Sequence, residues 1–401
     1  MPKLTYVKML DENPSFKMWS HLEHPRVHKQ TQGLFDLKNK AGMFLYKNIA
    51  KRIFFLIDPE RVHNVFIDIG RIFGSNFITK KIISFLFNYQ NRHLEQDILG
   101  IHFRNPVGLS AGFDKNAEII SVIEDVGFGF TEVGSITAKP YGGNAGKRLD
   151  RFVKEKSIWV NYGLSNKGAD AIYNKLKDKK FKIPIGINIA KTNCKKCAEA
   201  EKGIKDYIAS IKKFAGIGDY IDINISCPNS FGGQDFAKSE LYEQLLSEIG
   251  KLKIKKPVFV KLSPDLDKKT IDRIIEISEK YAIAGFICSN LTKRKNKYGK
   301  GGLSGKAVEK KANELISYIY KKTGGEFIII GAGGIFSAED AYKKIRLGAS
   351  LVQLITGMIF EGPNIIGEIN YGLTKLLKRD GYENISEAIG KDVNKMRNIF
   401  K

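Results

Sequence analysis

Residues 220–230, YIDINISCPNS, set two amides, a hydroxyl and a thiol close together: Asn224, Ser226, Cys227 and Asn229. Ile221, Ile223 and Ile225 alternate with Asp222, Asn224 and Ser226, so the stretch reads as a short buried strand ending in a polar turn. Asparagine both donates and accepts, and a cluster of asparagines suits a flat ligand with alternating carbonyl and N–H groups. A thiol at a polar strand end serves as base or nucleophile if its pKa is lowered. A cysteine taken alone is more often a small buried filler. The polar neighbours of Cys227 favour chemistry.

The elements that must position this turn repeat from about residue 100. Apolar runs stand at 106–112, 130–136, 183–189, 220–226, 257–263, 285–290, 326–332 and 351–356, most of them separated by amphipathic segments such as 267–281 and 338–347. Continuous apolar strands alternating with helices imply a parallel sheet covered on both faces. Eight such units over about 260 residues predict an α/β fold, a (β/α)8 TIM barrel, over a doubly wound open sheet. In such barrels the chemistry sits where the strands end. Those ends carry AGFDK with Lys115, then Ser135, Asn188 leading to Lys191, Asn224, Lys261 with Ser263, Ser289 with Asn290, the GAGG of 331–334, and Thr356 with Gly357. Glycines after strand seven and ITG after strand eight are where barrels often hold a phosphate on backbone N–H groups.

Upstream of the barrel, residues 1–40 read as a polar arm that includes His21, His24 and His28, with no role assigned. Residues 41–98 read as a helical extension. Met43, Phe44, Tyr46, Ile49, Ile53, Phe54 and Ile57 form one stripe, and Val62, Val65, Phe66, Ile69, Ile72 and Phe73 form a second after Asp58 as N-cap and Pro59. A third apolar run is IISFLF, 82–87. Basic, apolar-faced helices this short lie on a membrane surface or pack against the barrel. The barrel is expected over 99–380, with 381–401 as a C-terminal tail.

The chain has 401 residues, with 66 Lys and Arg against 43 Asp and Glu, a net charge of +23. Such a balance attracts anions, yet no nucleic-acid motif accompanies it, and a lysine-rich composition throughout explains most of it. Cysteines 194, 197, 227 and 288 are not a disulfide framework and fit a cytosolic protein. Cys194 and Cys197 make one CxxC, with no second pair or histidines at zinc spacing. The N-terminus lacks the apolar core of a signal peptide.

Together NISCPN (224–229), AGFDK (111–115), GGLSG (301–305), GAGGI (331–335) and GASLVQLITG (348–357) resemble dihydroorotate dehydrogenase over about residues 45–375. The resemblance implies a (β/α)8 barrel with FMN at its mouth and oxidation of dihydroorotate to orotate in pyrimidine synthesis. FLIDPERVHNVFIDIGRIFG (55–74) and EVGSITAKPYGGNAGKRLDRF (132–152) are similar to the quinone-linked class of the family, with His63 and Arg151 on the quinone side. The same class implies a peripheral site on the cytoplasmic side of the cell membrane; the alternative is the cytoplasm. The base position, however, carries Cys227, as in the soluble class that uses fumarate or NAD.

By motif, Cys227 takes the C5 proton while a hydride leaves C6 for the flavin. Lys115, Asn161, Asn224, Asn229 and Asn290 hold the substrate. Ala111, Gly112, Ser135, Asn188, Asn224, Lys261, Ser289, Gly305, Gly334, Ile355 and Thr356 line FMN; no metal is implied. Two positions depart from the family pattern. Val160 stands where the family has its Asn three residues before Gly163, with Asn161 one place late, and Ile355 replaces the usual aromatic. Two segments are lid candidates: 231–236 after strand four and, with the weaker claim, 291–304 after strand six. A soluble fumarate- or NAD-linked enzyme is the alternative function, and a non-catalytic basic barrel binding nucleic acid or lipid is the remote one.

Overall fold

The computed structural model describes Phe35, residues 37–232 and residues 235–395. The histidines of the N-terminal arm and positions 233–234 of the first lid candidate lie outside the described residues.

A hairpin, β1 (Gln96–Ile98) and β2 (Ile101–Phe103), opens the barrel domain. It turns on Leu99 and Gly100, both at positive φ, as a tight two-residue hairpin loop requires. The strands that follow are β3 (Val107–Leu109), β4 (Phe130–Ile136), β5 (Leu149–Phe152), β6 (Ser157–Val160), β7 (Ile185–Ile189), β8 (Tyr220–Asn224), β9 (Val258–Leu262), β10 (Gly285–Cys288), β11 (Gly302–Gly305), β12 (Ile328–Ala332) and β13 (Leu351–Leu354). Eight of them close in the order β10-β12-β13-β3-β4-β7-β8-β9. Every pair in the barrel is parallel. The expected barrel is present, and each of its strands falls within one of the eight apolar runs.

β8 shows how alternation divides the strand. Ile221 and Ile223 face outward into the main core beneath the helices. Tyr220 joins Phe130, Phe259, Ile287, Ile330 and Leu351 in an inner layer that Ile98 and Phe103 of the hairpin plug. Asp222 and Asn224 follow Tyr220 on the same face, so period two aims them up the barrel axis towards the mouth. Gly186 on the neighbouring strand makes room for the Tyr220 ring; a Cβ there would sit 2.3 Å from it.

Three strands outside the barrel form a small antiparallel sheet, β11-β6-β5, at its mouth. β11 pairs with β6 from Gly302–Val160 to Gly305–Ser157. This pairing, with Thr292 Oγ1 and Lys293 N both donating to Asp265, ties down the 291–304 segment read as a lid candidate.

The extension is helical from residue 37, with a π-helical turn at Tyr46–Ala50 leading into α1 (Lys51–Leu56). α2 (Pro59–Ser75) begins as expected: Asp58 accepts from Glu60 N and Arg61 N, and Pro59 fills the first helical position. α3 (Phe77–Phe87) is capped by Asn76. Gly70 and Gly74 bring the backbone of α2 against the barrel helix Ile120–Val126. A Cβ at Gly74 would meet the Ser121 hydroxyl at 2.3 Å.

Candidate active site

The turn after β8 is fixed from several sides. Asn224 donates to Ser135 Oγ at 2.9 Å and accepts from Ser226 N, Ser226 Oγ and Asn290 Nδ2. Tyr207, on the helix Ala200–Phe214, donates to the Asn224 carbonyl at 2.8 Å. Asn229 Nδ2 donates to the Val160 carbonyl at 3.1 Å, while Asn229 Oδ1 is buried without a partner among the described residues. Asn229, Asn290 and Cys227 line the same cavity. Burial pushes the Cys227 thiol up, and the Asn229 backbone N–H, Ser230, Lys191 and Lys293 only partly offset it. The lowered thiol pKa expected of an activated base is therefore absent from the protein alone.

A cavity of about 650 Å³ runs from this turn to the helical extension. At the barrel end it is lined by Ala111, Gly112, Lys115, Ser135, Asn224, Cys227, Asn229, Lys261, Asn290 and Thr356. At the far end come Phe54, Val62, Phe66, Ile69 and Phe73 of α1 and α2, and Ile82 and Leu86 of α3. His63 and Lys115 join the two ends, with His63 Nε2 and Lys115 Nζ 2.9 Å apart. Burial and the Lys115 charge hold the imidazole down at about 3, so it is neutral and able to accept from the ammonium. Burial brings Lys115 down to about 8, opposed by Glu60 and Asp114. The ring of Tyr162 lies 4.1 Å from the same ammonium.

Arg151 lies on the wall by the extension, donating to the Ile57 carbonyl at 2.8 Å with its guanidinium 4.7 Å from the Phe55 ring. Arg148 pairs with Glu60 of α2, so two arginines of the β5 region clamp the start of that helix to the barrel.

A family model described as dihydroorotate dehydrogenase matches residues 93–377. The chain belongs to that family. A dihydroorotate dehydrogenase (quinone) of Trichodesmium erythraeum is 35% identical over 374 residues, covering 86% of this chain and 98% of the relative. One from a Sulfurovum species is 38% identical over 362 residues, covering 87% and 99%. A crystal structure of the Eimeria tenella enzyme in complex with ferulenol superposes with a TM-score of 0.75 at 28% identity, over 84% of this chain and 96% of that one.

Dihydroorotate dehydrogenases are flavin-dependent, and the barrel mouth has the groups such a cofactor requires. Lys261 Nζ is buried 3.4 Å from Ser110 Oγ and 3.5 Å from Glu132. Asn188 donates to Asp222 and leaves its own Oδ1 without a partner among the described residues. Burial and the adjacent Glu132 push the Asp222 carboxyl well up, which keeps a second negative charge out of the barrel axis. Gly305 and Gly334 adopt left-handed backbone at φ near +80°. A Cβ on Gly305 would meet the Lys156 carbonyl and come within 2.7 Å of Thr356, itself 2.8 Å from Ser304 Oγ, so glycine allows this close packing at the mouth. Ser289 is buried beside Asn290, and Ile355 lines the cavity with Met358 and Ile359.

Asn161 does not line the cavity. On β6, Ile158 and Val160 share the face that does, and alternation turns Trp159 and Asn161 the other way. Asn161 instead accepts from Asn144 Nδ2 at 3.1 Å. Asn144 also donates to the Asn229 carbonyl and accepts from Tyr141 and Asn193. Asn193 in turn donates to the Gly163 carbonyl at 2.9 Å and accepts from Phe231 N at 2.8 Å. This amide network behind the Cys227 turn was missed from sequence. Its only signal was asparagines in the polar loops GGNAG and KTNC, where a loop asparagine is unremarkable.

Proposed function

We propose that this enzyme oxidises (S)-dihydroorotate to orotate at the base turn, with FMN in the barrel mouth and a quinone entering between α1, α2 and α3. The observation that carries this reading is the continuous cavity: amides, lysines and a thiol at one end, aromatic and aliphatic side chains at the other.

Lys115 meets the substrate carboxylate. Asn224, Asn229 and Asn290 satisfy the ring's amide edges, the orphaned Asn229 Oδ1 accepting a ring N–H. Val160 gives an apolar wall where relatives are expected to place an amide. Cys227 as thiolate takes the proton from C5. FMN, when bound, would supply the acceptor for the C6 hydride and the two-electron link to quinone. Lys261 would offset the charge that develops on the reduced cofactor, and Gly305, Gly334 and Thr356 would hold its phosphate.

Val65, Ile72, Phe77, Ile78, Ile82 and Phe85 leave large apolar surfaces exposed on α2 and α3, with Arg52, Arg61, Arg71 and Lys81 exposed around them. Ile72 is 60% and Phe77 72% exposed. Among the described residues no helix is long and apolar enough to cross a membrane. The extension therefore rests on a bilayer surface and takes quinone from it. Cosedimentation with anionic vesicles, abolished by Ile72→Asp with Phe77→Asp, tests that placement.

Steady-state turnover of dihydroorotate against ubiquinone and menaquinone analogues, fumarate and NAD tests the function. Quinone is expected to support turnover, and fumarate and NAD are not. Turnover with fumarate alone would favour the second reading, whose support is the thiol at position 227.

A further inference from the structure

The CxxC pair stands directly behind the amide network. Cys194 and Cys197 are both free, Cys194 at the N-cap of a short 3₁₀ turn after β7 and Cys197 within it. Their sulfurs are 2.9 Å apart, Cys194 Sγ donating to Cys197 Sγ. Cys197 Sγ donates in turn to Asp206 Oδ2 at 3.7 Å. Cys194 is partly exposed, whereas Cys197 and Asp206 are buried. The result is a relay of an accessible thiol, a buried thiol and a buried carboxylate. Asp206 also accepts from Thr192 N and Thr192 Oγ1, both at 2.7 Å. Between Thr192 and Cys194 lies Asn193, which ties the Gly163 carbonyl and the Phe231 amide to Asn144.

We propose that Cys194 and Cys197 form a reversible dithiol–disulfide site that exchanges with small-molecule disulfides of the glutathione type, and that its oxidation weakens dihydroorotate binding through Asn193. Cys194, as the accessible sulfur, attacks the external disulfide; one thiol leaves and takes up the proton Cys194 gave up. Cys197 then attacks the Cys194 sulfur and expels the second thiol, its proton passing by way of Asp206 to that leaving group. The balance is one protein dithiol and one small disulfide giving one protein disulfide and two small thiols. Burial, with Cys194 and Asp206 close by, pushes the Cys197 thiol up to about 12, which suits Cys197 to the resolving step inside the mixed disulfide and not to first attack. Closure brings the sulfurs to about 2.05 Å and removes the S–H that Asp206 accepts. Asp206 and Thr192 then readjust on one side of Asn193 and Cys194 on the other, and Gly163 and Phe231 move with it.

The test uses the whole holoenzyme in buffers of graded oxidised to reduced glutathione. Rapid alkylation and peptide mass spectrometry read each cysteine, and stopped-flow flavin reduction reads dihydroorotate affinity. In oxidising buffer the 194–197 peptide is expected to lose two hydrogens, and the dihydroorotate constant to rise about fivefold, a modest intersite coupling. The quinone constant stays fixed, and a reducing buffer restores the starting state. Cys197→Ser accumulates glutathione on Cys194, and Cys194→Ser forms no disulfide and keeps one dihydroorotate constant throughout. Both thiols remaining alkylatable at every ratio, or glutathione attaching only to Cys227, overturns the site. A disulfide that forms while the dihydroorotate constant stays put overturns the coupling. Wild-type protein alone reads both, so a variant that folds poorly does not blunt the test.

Discussion

Asn224 at the barrel end of the cavity is held by Ser135, Ser226, Asn290 and Tyr207, whereas Ile72, Phe77 and Ile78 at the helical end leave much of their surface exposed. The barrel end is built from strand termini, whose backbone is fixed by pairing on both sides, so amides can be aimed at a small polar ligand. The helical end is a set of short helices joined at Asp58 and Asn76, with the apolar surface a greasy chain needs and few groups that could orient it. One end is built to discriminate and the other to admit. His63 against Lys115 is where they meet.

The largest expected effect comes at the polar end. Cys227→Ala removes the proposed base and should slow flavin reduction by dihydroorotate by a factor on the order of 10²–10⁴. Reoxidation by quinone, measured in the same stopped-flow instrument, should be untouched. A variant as fast as wild type removes Cys227 from the mechanism.

Lys115→Met comes next. Losing a charge-assisted hydrogen bond should raise the dihydroorotate constant by about 10- to 100-fold. The pH profile adds a second readout. In the mechanism proposed above, the active form has Lys115 protonated and Cys227 ionised. The fraction of protonated Lys115 falls as pH rises through about 8. The thiolate fraction grows only above the ordinary thiol range, because burial raises the thiol. In wild type, kcat/KM should rise up to about pH 8, flatten, and fall beyond the thiol's pKa. Without the lysine the descending limb should vanish and the rise should continue to a plateau.

At the helical end, Val62→Trp fills the cavity between α1 and α2 and should raise the quinone constant about tenfold, the scale set by a few misplaced methylenes. Flavin reduction should be unchanged. Equal losses in both half-reactions would mean that the cavity is not divided in this way.

These two ends were unequally legible. The eight barrel strands were readable because each is a continuous apolar run, the mark of a strand covered on both faces. The Asp58 and Pro59 start of α2 was legible because capping is local chemistry. The three-stranded sheet at the mouth was not. β5 is half-buried at every residue, and β11 is GLSG, so neither carries an apolar signal. Missing β6 and its register hid the fact that Val160, not Asn161, faces the cavity; a strand's face inverts with a one-residue shift. The Asn144 and Asn193 network joins four segments separated in sequence, and a single chain gives no sign of such pairings.

The smallest expected effect tests how independent the two ends are. Asp58 satisfies two backbone N–H groups at the start of α2, Glu60 N at 3.0 Å and Arg61 N at 3.1 Å. Asp58→Ala should cost about 1 kcal/mol of local stability. Amide exchange in the first turn of α2 should therefore quicken about fivefold, the equivalent of that free energy. The quinone constant should rise by no more than this. Glu60 on Arg148 and the Ile57 carbonyl on Arg151 still hold the turn, which keeps the loosening local. The dihydroorotate constant should stay at its wild-type value, because Asn224, Asn229 and Asn290 hang on the barrel and not on α2. If it rises in step with the quinone constant, the His63–Lys115 contact transmits position as well as charge, and the two ends work as one site.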